Sequence, residues 1–145
     1  RPGVKVARDR DTTVITIGDV EELGVERAVE IALECAWKDA EAVFLSFDID
    51  SIDAGFVQGT GSPEPGGLLP REALKALRMV AAEGICGMEV VEISPPYDVS
   101  DMTAQLGCRA IMDVLGTLVE AGKLGTRVVP DERREGNRPP EEPAA

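Results

Sequence analysis

Two apolar segments that end in acidic residues constrain the fold of this chain more than any other feature. The first runs from Ala42 to Asp50 and is almost entirely apolar until its acids, and the second runs from Ile85 to Ser94 and stops at two prolines. Short apolar runs bounded by turn residues are typical of strands that are buried on both faces. We therefore predict that both segments are buried strands.

The segments before, between and after these strands are predicted to be helices. Segments 25–36, 70–84 and 100–121 repeat apolar residues at helical spacing, and Asp19 is predicted to cap the helix that follows it. Pro70 suits the first turn of the second helix and Gly84 its end. The predicted core-facing residues are Leu74, Leu77 and Ala81 in the second helix and Ile111, Val114, Leu115 and Leu118 in the third.

Strands that alternate with helices predict an α/β fold with a parallel sheet. Ligands of such sheets bind at the carboxyl ends of the strands. Asp48 and Asp50 lie at the end of the first predicted strand, and Glu92 lies near the end of the second. The sequence therefore predicts a site at this edge of the sheet.

Asp48 and Asp50 are one residue apart, so on a strand both carboxylates would point to the same face. Two such acids need a counter-charge, which a divalent cation or a buried arginine could supply, or one of them must stay protonated. The buried strand before them and the glycine-rich loop after them favour a metal ion. Asp53 is predicted to cap the turn after the strand instead of binding metal.

Residues 54–69 hold five glycines and two prolines, which predicts a loop that lines a pocket. No Gly-Lys-Ser/Thr follows it, so it is not a phosphate-binding loop. Glu89 and Glu92 are an odd number of residues apart and should face opposite sides of their strand. Either acid could pair with an arginine such as Arg109, and Glu92 could instead pair with a cationic substrate; the residues alone leave both options open.

Composition excludes several classes of protein. A net charge of −12 argues against nucleic-acid binding, and no apolar run reaches the ~18 residues of a membrane span. The three cysteines, which form no CxxC pair, are expected to be reduced, mostly buried thiols of a cytoplasmic protein. The chain contains no histidine, so a metal site complete within it would have to use carboxylates and carbonyls.

The chain begins at Arg1 without a methionine, so we expect a fragment. Residues 1–125 are predicted to be part of one domain. Residues 126–145 are rich in Pro, Glu and Arg with little to bury, and we predict a disordered tail.

Three motifs together resemble the ureohydrolases, the family of arginases and agmatinases. SFDIDSID (46–53) is similar to that family's metal-binding strand, GTGSPEPGGL (59–68) to the loop after it, and EVVEISPPYD (89–98) to the next strand and its exit. The resemblance runs from about residue 14 to about residue 122. PEPGG and SPPYD resemble the agmatinase branch, whereas SIDAGF resembles a branch that includes guanidine hydrolases.

This resemblance implies a three-layer α/β/α sandwich around a parallel sheet and a centre of two Mn²⁺ ions, with Ni²⁺ as the alternative. It implies that Asp48 bridges both metals, that Asp50 binds one, that Glu92 holds a guanidinium group, and that Thr60 and Ser62 line the pocket. The implied reaction is hydrolysis of a guanidino compound, agmatine or a similar guanidinoalkyl substrate, to urea and an amine. Relatives are commonly trimers or hexamers, so a homo-oligomer is implied for the full-length protein.

The chain departs from the family pattern at several positions. Gln58 stands where proline is usual, and Glu89 where aspartate is frequent. The family's two histidine-bearing metal motifs are absent, so the chain resembles only the carboxyl-terminal half of a ureohydrolase and should be inactive alone. The alternatives are a guanidine hydrolase that gives urea and ammonia, and a non-catalytic fragment or one half of a split enzyme.

Overall fold

A computed structural model describes Val6, Asp9, Arg10 and residues 12–124. Its helices are α1 (Ile17–Leu23), α2 (Val25–Trp37), α3 (Pro70–Glu83) and α4 (Met102–Glu120), its strands are β1 (Phe44–Asp48) and β2 (Gly87–Val91), and 3₁₀ turns span Ile49–Ser51 and Pro95–Tyr97. The tail predicted to be disordered, 126–145, lies outside the described residues.

The two strands pair in parallel, with Phe44 opposite Gly87 and Asp48 opposite Val91. Helix α3 lies between them in sequence, so the predicted α/β arrangement with a parallel sheet is confirmed. Both strands are shorter than predicted. The first ends at Asp48 because a 3₁₀ turn begins at the next residue, and the second ends at Val91 because Glu92 has a positive φ of 65°.

One face of this sheet packs on the core, and the other face is open within the described part of the chain. Phe47 is buried, and Leu45, Met88 and Val90 pack against the same cluster; the buried helical members of that cluster are Ala73, Leu77 and Ala81 of α3 and Ala110, Val114 and Leu118 of α4. On the opposite face, the Phe44 side chain is 56% exposed. The prediction that β1 is buried on both faces is therefore wrong for the described residues.

Helix α4 buries a different set of residues from the one predicted. Val114 and Leu118 are buried, but Ile111 and Leu115 are 39% and 40% exposed, and the remaining buried positions are Thr103, Gly107 and Ala110. A Cβ placed on Gly107 would lie 2.4 Å from Cδ1 of Ile93. Small residues therefore bring α4 close to the exit of β2, and a search for large apolar residues misses such positions. In α3, Ala73 joins Leu77 and Ala81 in the buried stripe, and Leu74 is only partly buried.

Helix α1 begins one turn earlier than the predicted cap at Asp19. Thr16 is the N-cap, and its hydroxyl oxygen accepts a hydrogen bond from the Asp19 amide at 3.2 Å. In turn, Oδ2 of Asp19 accepts a hydrogen bond from the Thr16 amide at 2.7 Å. This reciprocal capping box needs an acid three residues into the helix, which is why Asp19 is a capping residue without being the N-cap.

All three cysteines are free, and all are exposed, so the prediction of mostly buried thiols is wrong. The helices of residues 12–124 include none whose length and apolar character would let it cross a membrane.

Candidate metal and guanidinium site

The carboxyl edge of the sheet gathers the acids that the sequence singled out. Asp48 is the last residue of β1 and pairs with Val91, the last residue of β2. Glu92 follows directly, and Asp50 lies in the 3₁₀ turn that leaves β1. The predicted juxtaposition at one edge of the sheet is therefore present in the structure.

The two aspartates are held by a tight turn and not by alternation along a strand. Oδ1 of Asp48 accepts a hydrogen bond from the Asp50 amide at 2.9 Å, and the Ser51 hydroxyl donates to the Asp48 carbonyl oxygen at 2.7 Å. Asp48 is exposed and Asp50 is half-buried. Asp48 thus caps the turn through Oδ1 while the residue as a whole stays exposed.

Thr60 joins the glycine-rich loop to this turn. It is 4% exposed, and its hydroxyl donates a hydrogen bond to Oδ1 of Asp50. Thr60 also forms an antiparallel bridge with Ile93, the residue after Glu92. Ser62, two residues further along the loop, is exposed. The loop therefore lies between the two acidic strand exits, and its role in lining a pocket stays a prediction.

Glu92 has an unusual backbone for a residue other than glycine. Its φ of 65° lies in the left-handed region, which costs about 1–2 kcal/mol for an L-residue. Its side chain is exposed and lies near the loop, since a Cβ placed on Gly61 would lie 4.0 Å from Oε2 of Glu92. Strained residues of this kind concentrate at functional sites, where the surrounding structure holds them in place.

Asp98 and Thr103 belong to the surroundings of this site, and the sequence reasoning missed both. Oδ1 and Oδ2 of Asp98 accept hydrogen bonds from the amides of Thr103 and Ala104 at 3.1 Å and 2.8 Å. Burial alone would raise the pKa of Asp98, but these amides and the Thr103 hydroxyl hold it below its usual value. The available signal was an acid just ahead of a predicted helix, which is the usual place for a capping residue.

Asp53 organises the glycine-rich loop, as predicted. Its Oδ1 and Oδ2 accept hydrogen bonds from the amides of Gly55 and Gly66, each at 2.7 Å. The Gly66 amide, followed by that of Gly55, lowers the pKa of the Asp53 carboxyl below its usual value. The chain closes tightly here, because a Cβ on Gly67 would lie 2.7 Å from the Asp53 nitrogen.

Glu89 and Arg109 do not pair with each other. Oε1 of Glu89 accepts a hydrogen bond from the Ser46 hydroxyl across the sheet at 2.9 Å. Nε of Arg109 lies 2.6 Å from Oδ1 of Asp113 on its own helix. Pairing of Arg109 with a strand acid, one of the options left open by the sequence, is therefore wrong for Glu89.

A cavity of about 460 Å³ lies beside this region without including its acids. Its lining includes Phe56, Gln58, Asp98, Met102 and Arg109. Asp48 and Glu92 instead stand exposed at the sheet edge. In residues 12–124 the acids thus face an open surface.

The described residues fit only part of a metal centre. No group of three or more His, Cys, Asp or Glu side chains among them is arranged to hold a metal ion. Asp48 and Asp50 offer carboxylate oxygens, which suit Mn²⁺, but two carboxylates do not complete a site for two ions.

Solved structures define the class of fold. The chain is similar to arginase from Bacillus subtilis, with a TM-score of 0.73, 28% identity and coverage of 77% of this chain and 40% of that one. It is also similar to proclavaminate amidino hydrolase from Streptomyces clavuligerus, with a TM-score of 0.74, 34% identity and coverage of 81% and 38%. The fold is therefore part of the arginase-type α/β sandwich, as predicted.

Sequence comparison shows the family. The arginase family profile matches residues 2–116, and the chain belongs to the arginase family. Over 115 residues it is 39% identical to an agmatinase of Proteus mirabilis, covering 78% of this chain and 37% of the relative. It is 36% identical over 115 residues to a guanidinopropionase of Pseudomonas aeruginosa, covering 79% of this chain and 36% of the relative. The chain thus spans little more than a third of these relatives' length.

Proposed function

We propose that this chain provides the carboxyl-terminal part of the active site of a metal-dependent hydrolase that releases urea from a guanidino compound. The observation that most supports this proposal is the placement of Asp48, Asp50 and Glu92 at one carboxyl edge of a parallel sheet, with Thr60 bonded to Asp50. The similarity to an agmatinase and a guanidinopropionase supports a guanidino substrate.

In this proposal Glu92 holds the substrate. A carboxylate can accept two parallel hydrogen bonds from a planar guanidinium group, which fixes the orientation of the group as well as its position. Glu92 is exposed at the sheet edge, so its carboxylate can reach a ligand placed there. Thr60 and Ser62 are proposed to line, from the loop, the substrate pocket that the complete site would form.

Asp48 and Asp50 are proposed as ligands of a pair of Mn²⁺ ions, or Ni²⁺ in the alternative, with Asp48 shared between the two. The histidine ligands would have to come from outside these residues, since the chain contains none. When bound, such a metal pair would supply a nucleophilic water at neutral pH.

Agmatine or a similar guanidinoalkyl cation is the leading substrate, because agmatinases recur among the similar proteins. The net charge of −12 is compatible with a cationic substrate. Guanidine itself is the second candidate, which the stretch SIDAGF favours. A non-catalytic fragment or one half of a split enzyme is the alternative of another class, and the incomplete ligand set of the described residues favours it for the isolated chain.

The proposal is tested by expressing the chain alone and together with any in-frame coding sequence upstream of Arg1. Each product is supplied with Mn²⁺ or Ni²⁺, and urea is measured with agmatine, guanidinobutyrate and guanidine. We expect urea from the longer product with one of these substrates and none from the chain alone. Urea from the chain alone would show that its site is complete, and no urea from any product would contradict the hydrolase assignment.

A further inference from the structure

Helix α4 contacts both the glycine-rich loop, through Thr103, and the residue after Glu92, through Gly107. We propose that Asp98, just before α4, and Thr103, in its first turn, are positioning residues of the candidate site. Acting through Gly59, they hold the backbone that keeps Glu92 in its left-handed conformation. The functional meaning of this inference rests on the proposed role of Glu92 in holding a guanidinium group.

The first step joins α4 to the glycine-rich loop. The Gly59 amide donates a hydrogen bond to Oγ1 of Thr103 at 2.9 Å, and Thr103 is 0% exposed. Asp98 fixes the position of Thr103, because its Oδ1 accepts a hydrogen bond from the Thr103 amide at 3.1 Å. The contact with the loop is tight, because a Cβ on Gly59 would lie 2.4 Å from Cβ of Asp98. Position 59 therefore has no room for a Cβ beside Asp98.

The second step joins the loop to the residues that follow Glu92. The Ser94 amide donates to the Gly59 carbonyl oxygen at 2.7 Å, and Thr60 forms an antiparallel bridge with Ile93. On its other side, Glu92 follows Val91, which is paired with β1. Glu92 therefore lies between two segments that are each held by backbone hydrogen bonds, and its positive φ is the conformation that connects them.

Helix α4 also contacts this exit directly. Gly107 approaches Ile93 so closely that a Cβ there would lie 2.4 Å from its Cδ1. Gly107 is one turn beyond Thr103, so a single helix contacts both the loop and the residue after Glu92. A shift of the start of α4 should therefore change the backbone of Glu92, although neither Asp98 nor Thr103 needs to touch the substrate.

The experiment compares Thr103→Val with Thr103→Ser in the full chain, labelled with ¹⁵N and ¹³C for NMR. Valine has nearly the shape of threonine but leaves the Gly59 amide without its acceptor, whereas serine keeps the hydroxyl. One readout is the strong amide-to-Hα NOE within Glu92, which marks a positive φ. The other is amide hydrogen exchange at Gly59 and Ser94, with Val114 in the core as the internal control.

We expect the valine variant to lose the Glu92 NOE and to exchange Gly59 and Ser94 about tenfold faster, the change that corresponds to one net hydrogen bond. The serine variant should retain wild-type behaviour, and Val114 should change in neither. A folded valine variant that keeps the Glu92 NOE and slow exchange at Ser94 would overturn the inference, because Thr103 would then serve only α4.

Should Thr103→Val fail to fold, Asp98→Asn supplies a second route to the same result. Asparagine has one acceptor oxygen where Asp98 uses two, so the start of α4 should loosen without loss of the core. The same loss of the Glu92 NOE is expected, and an unchanged NOE in a folded Asp98→Asn protein would overturn the inference.

An agmatine titration separates this inference from the proposed function. The longer product, which includes the sequence upstream of Arg1, is used, and the Glu92 carboxyl carbon is observed by NMR. An agmatine-dependent shift in the wild type that weakens in Thr103→Val supports positioning for substrate. No shift in the wild type would contradict the proposed role of Glu92, while the NOE still decides the structural question.

Discussion

Arg78 of α3 and Asp113 of α4 lie with Nη1 and Oδ2 2.7 Å apart, so an ion pair joins the two helices that cover the sheet. Asp113 is only 12% exposed, and Nε of Arg109 contacts its other oxygen at 2.6 Å. Burial alone would raise the pKa of Asp113, but hydrogen bonds from Arg109 and then Arg78 hold it below its usual value. The Asp113 carboxylate should therefore contribute more to the free energy of unfolding than a carboxylate in an exposed ion pair does.

Replacing Asp113 with asparagine should lower the free energy of unfolding by about 1–2 kcal/mol, because two charge-assisted hydrogen bonds weaken at a poorly exposed site. The matched control is Glu30→Gln in the Arg27–Glu30 pair of α2, whose side chains are 50% and 53% exposed. That change should cost under about 0.5 kcal/mol. Equal losses in urea unfolding experiments would show that the partial burial of Asp113 is unimportant.

The same pair predicts a pH dependence. The lowered pKa means that, near the carboxyl's usual pKa, the unfolded chain binds more protons at Asp113 than the folded chain does. The stability advantage of wild type over Asp113→Asn should be fully present above the ordinary carboxyl pKa of about 3.9 and should disappear as pH falls through the lower folded value. Urea unfolding at a series of pH values measures this, and an advantage that grows on acidification would contradict it.

Two glycines of α4 should respond in opposite ways to alanine. A Cβ added at Gly116 would meet open space, with no neighbouring atom within 4 Å, so Gly116→Ala should stabilise by about 0.5–1 kcal/mol through helix propensity. Gly107→Ala has the same propensity gain but places its Cβ 2.4 Å from Ile93, and overpacking costs about 1–3 kcal/mol.

Thermal or urea unfolding of both variants gives this comparison. We expect Gly107→Ala to be the less stable of the two and to shift the NMR signals of Glu92, since Ile93 is the next residue. Gly116→Ala should leave those signals in place. Equal stabilisation by both changes would show that the Ile93 side chain moves aside freely.

The positive φ of Glu92 should lower the free energy of unfolding of the protein, because a residue other than glycine is strained in this conformation. Glu92→Asn and Glu92→Gln both remove the charge, but asparagine tolerates a positive φ better than other residues with side chains. Glu92→Asn should therefore be more stable than Glu92→Gln by about 0.5 kcal/mol. In the longer product, which includes the sequence upstream of Arg1, both changes should abolish the urea release that the proposed function predicts. A less stable asparagine variant would mean that φ at this position relaxes once the native side chain is replaced.

Much of the fold follows from the sequence because periodicity reports burial. The parallel strands, the helices α2, α3 and α4, and the loop between β1 and α3 are where the spacing of apolar residues and glycines predicts them. The end of β1 does not lie where the sequence predicts it. The Asp50 amide donates a hydrogen bond to Asp48 and so starts a turn that the spacing of apolar residues does not reveal. Likewise, Gly107 is buried because α4 approaches Ile93 closely at this position. A glycine adds no large apolar side chain to the periodic pattern, so the pattern does not reveal it.

The sequence supplied candidates for the site but not the contacts that hold them. The position of Asp48, Asp50 and Glu92 at strand ends made them candidates, and motif resemblance added Thr60 and Ser62. The contact of Gly59 with Thr103 joins residues 44 positions apart, and pairing across that separation leaves no local pattern in the sequence. The positive φ of Glu92 is equally invisible, since it results from the bridges on both sides of that residue.

The metal content of the longer product, which includes the sequence upstream of Arg1, tests the role of the acidic sheet edge most directly. Manganese bound per chain is measured for wild type, Asp48→Asn, and the control Glu89→Gln, which alters an acid of β2 that is bonded to Ser46. We predict that Asp48→Asn loses most of its manganese while keeping the wild-type fold, and that Glu89→Gln keeps its metal. Wild-type manganese in a folded Asp48→Asn protein would contradict the assignment of this edge as part of the metal centre.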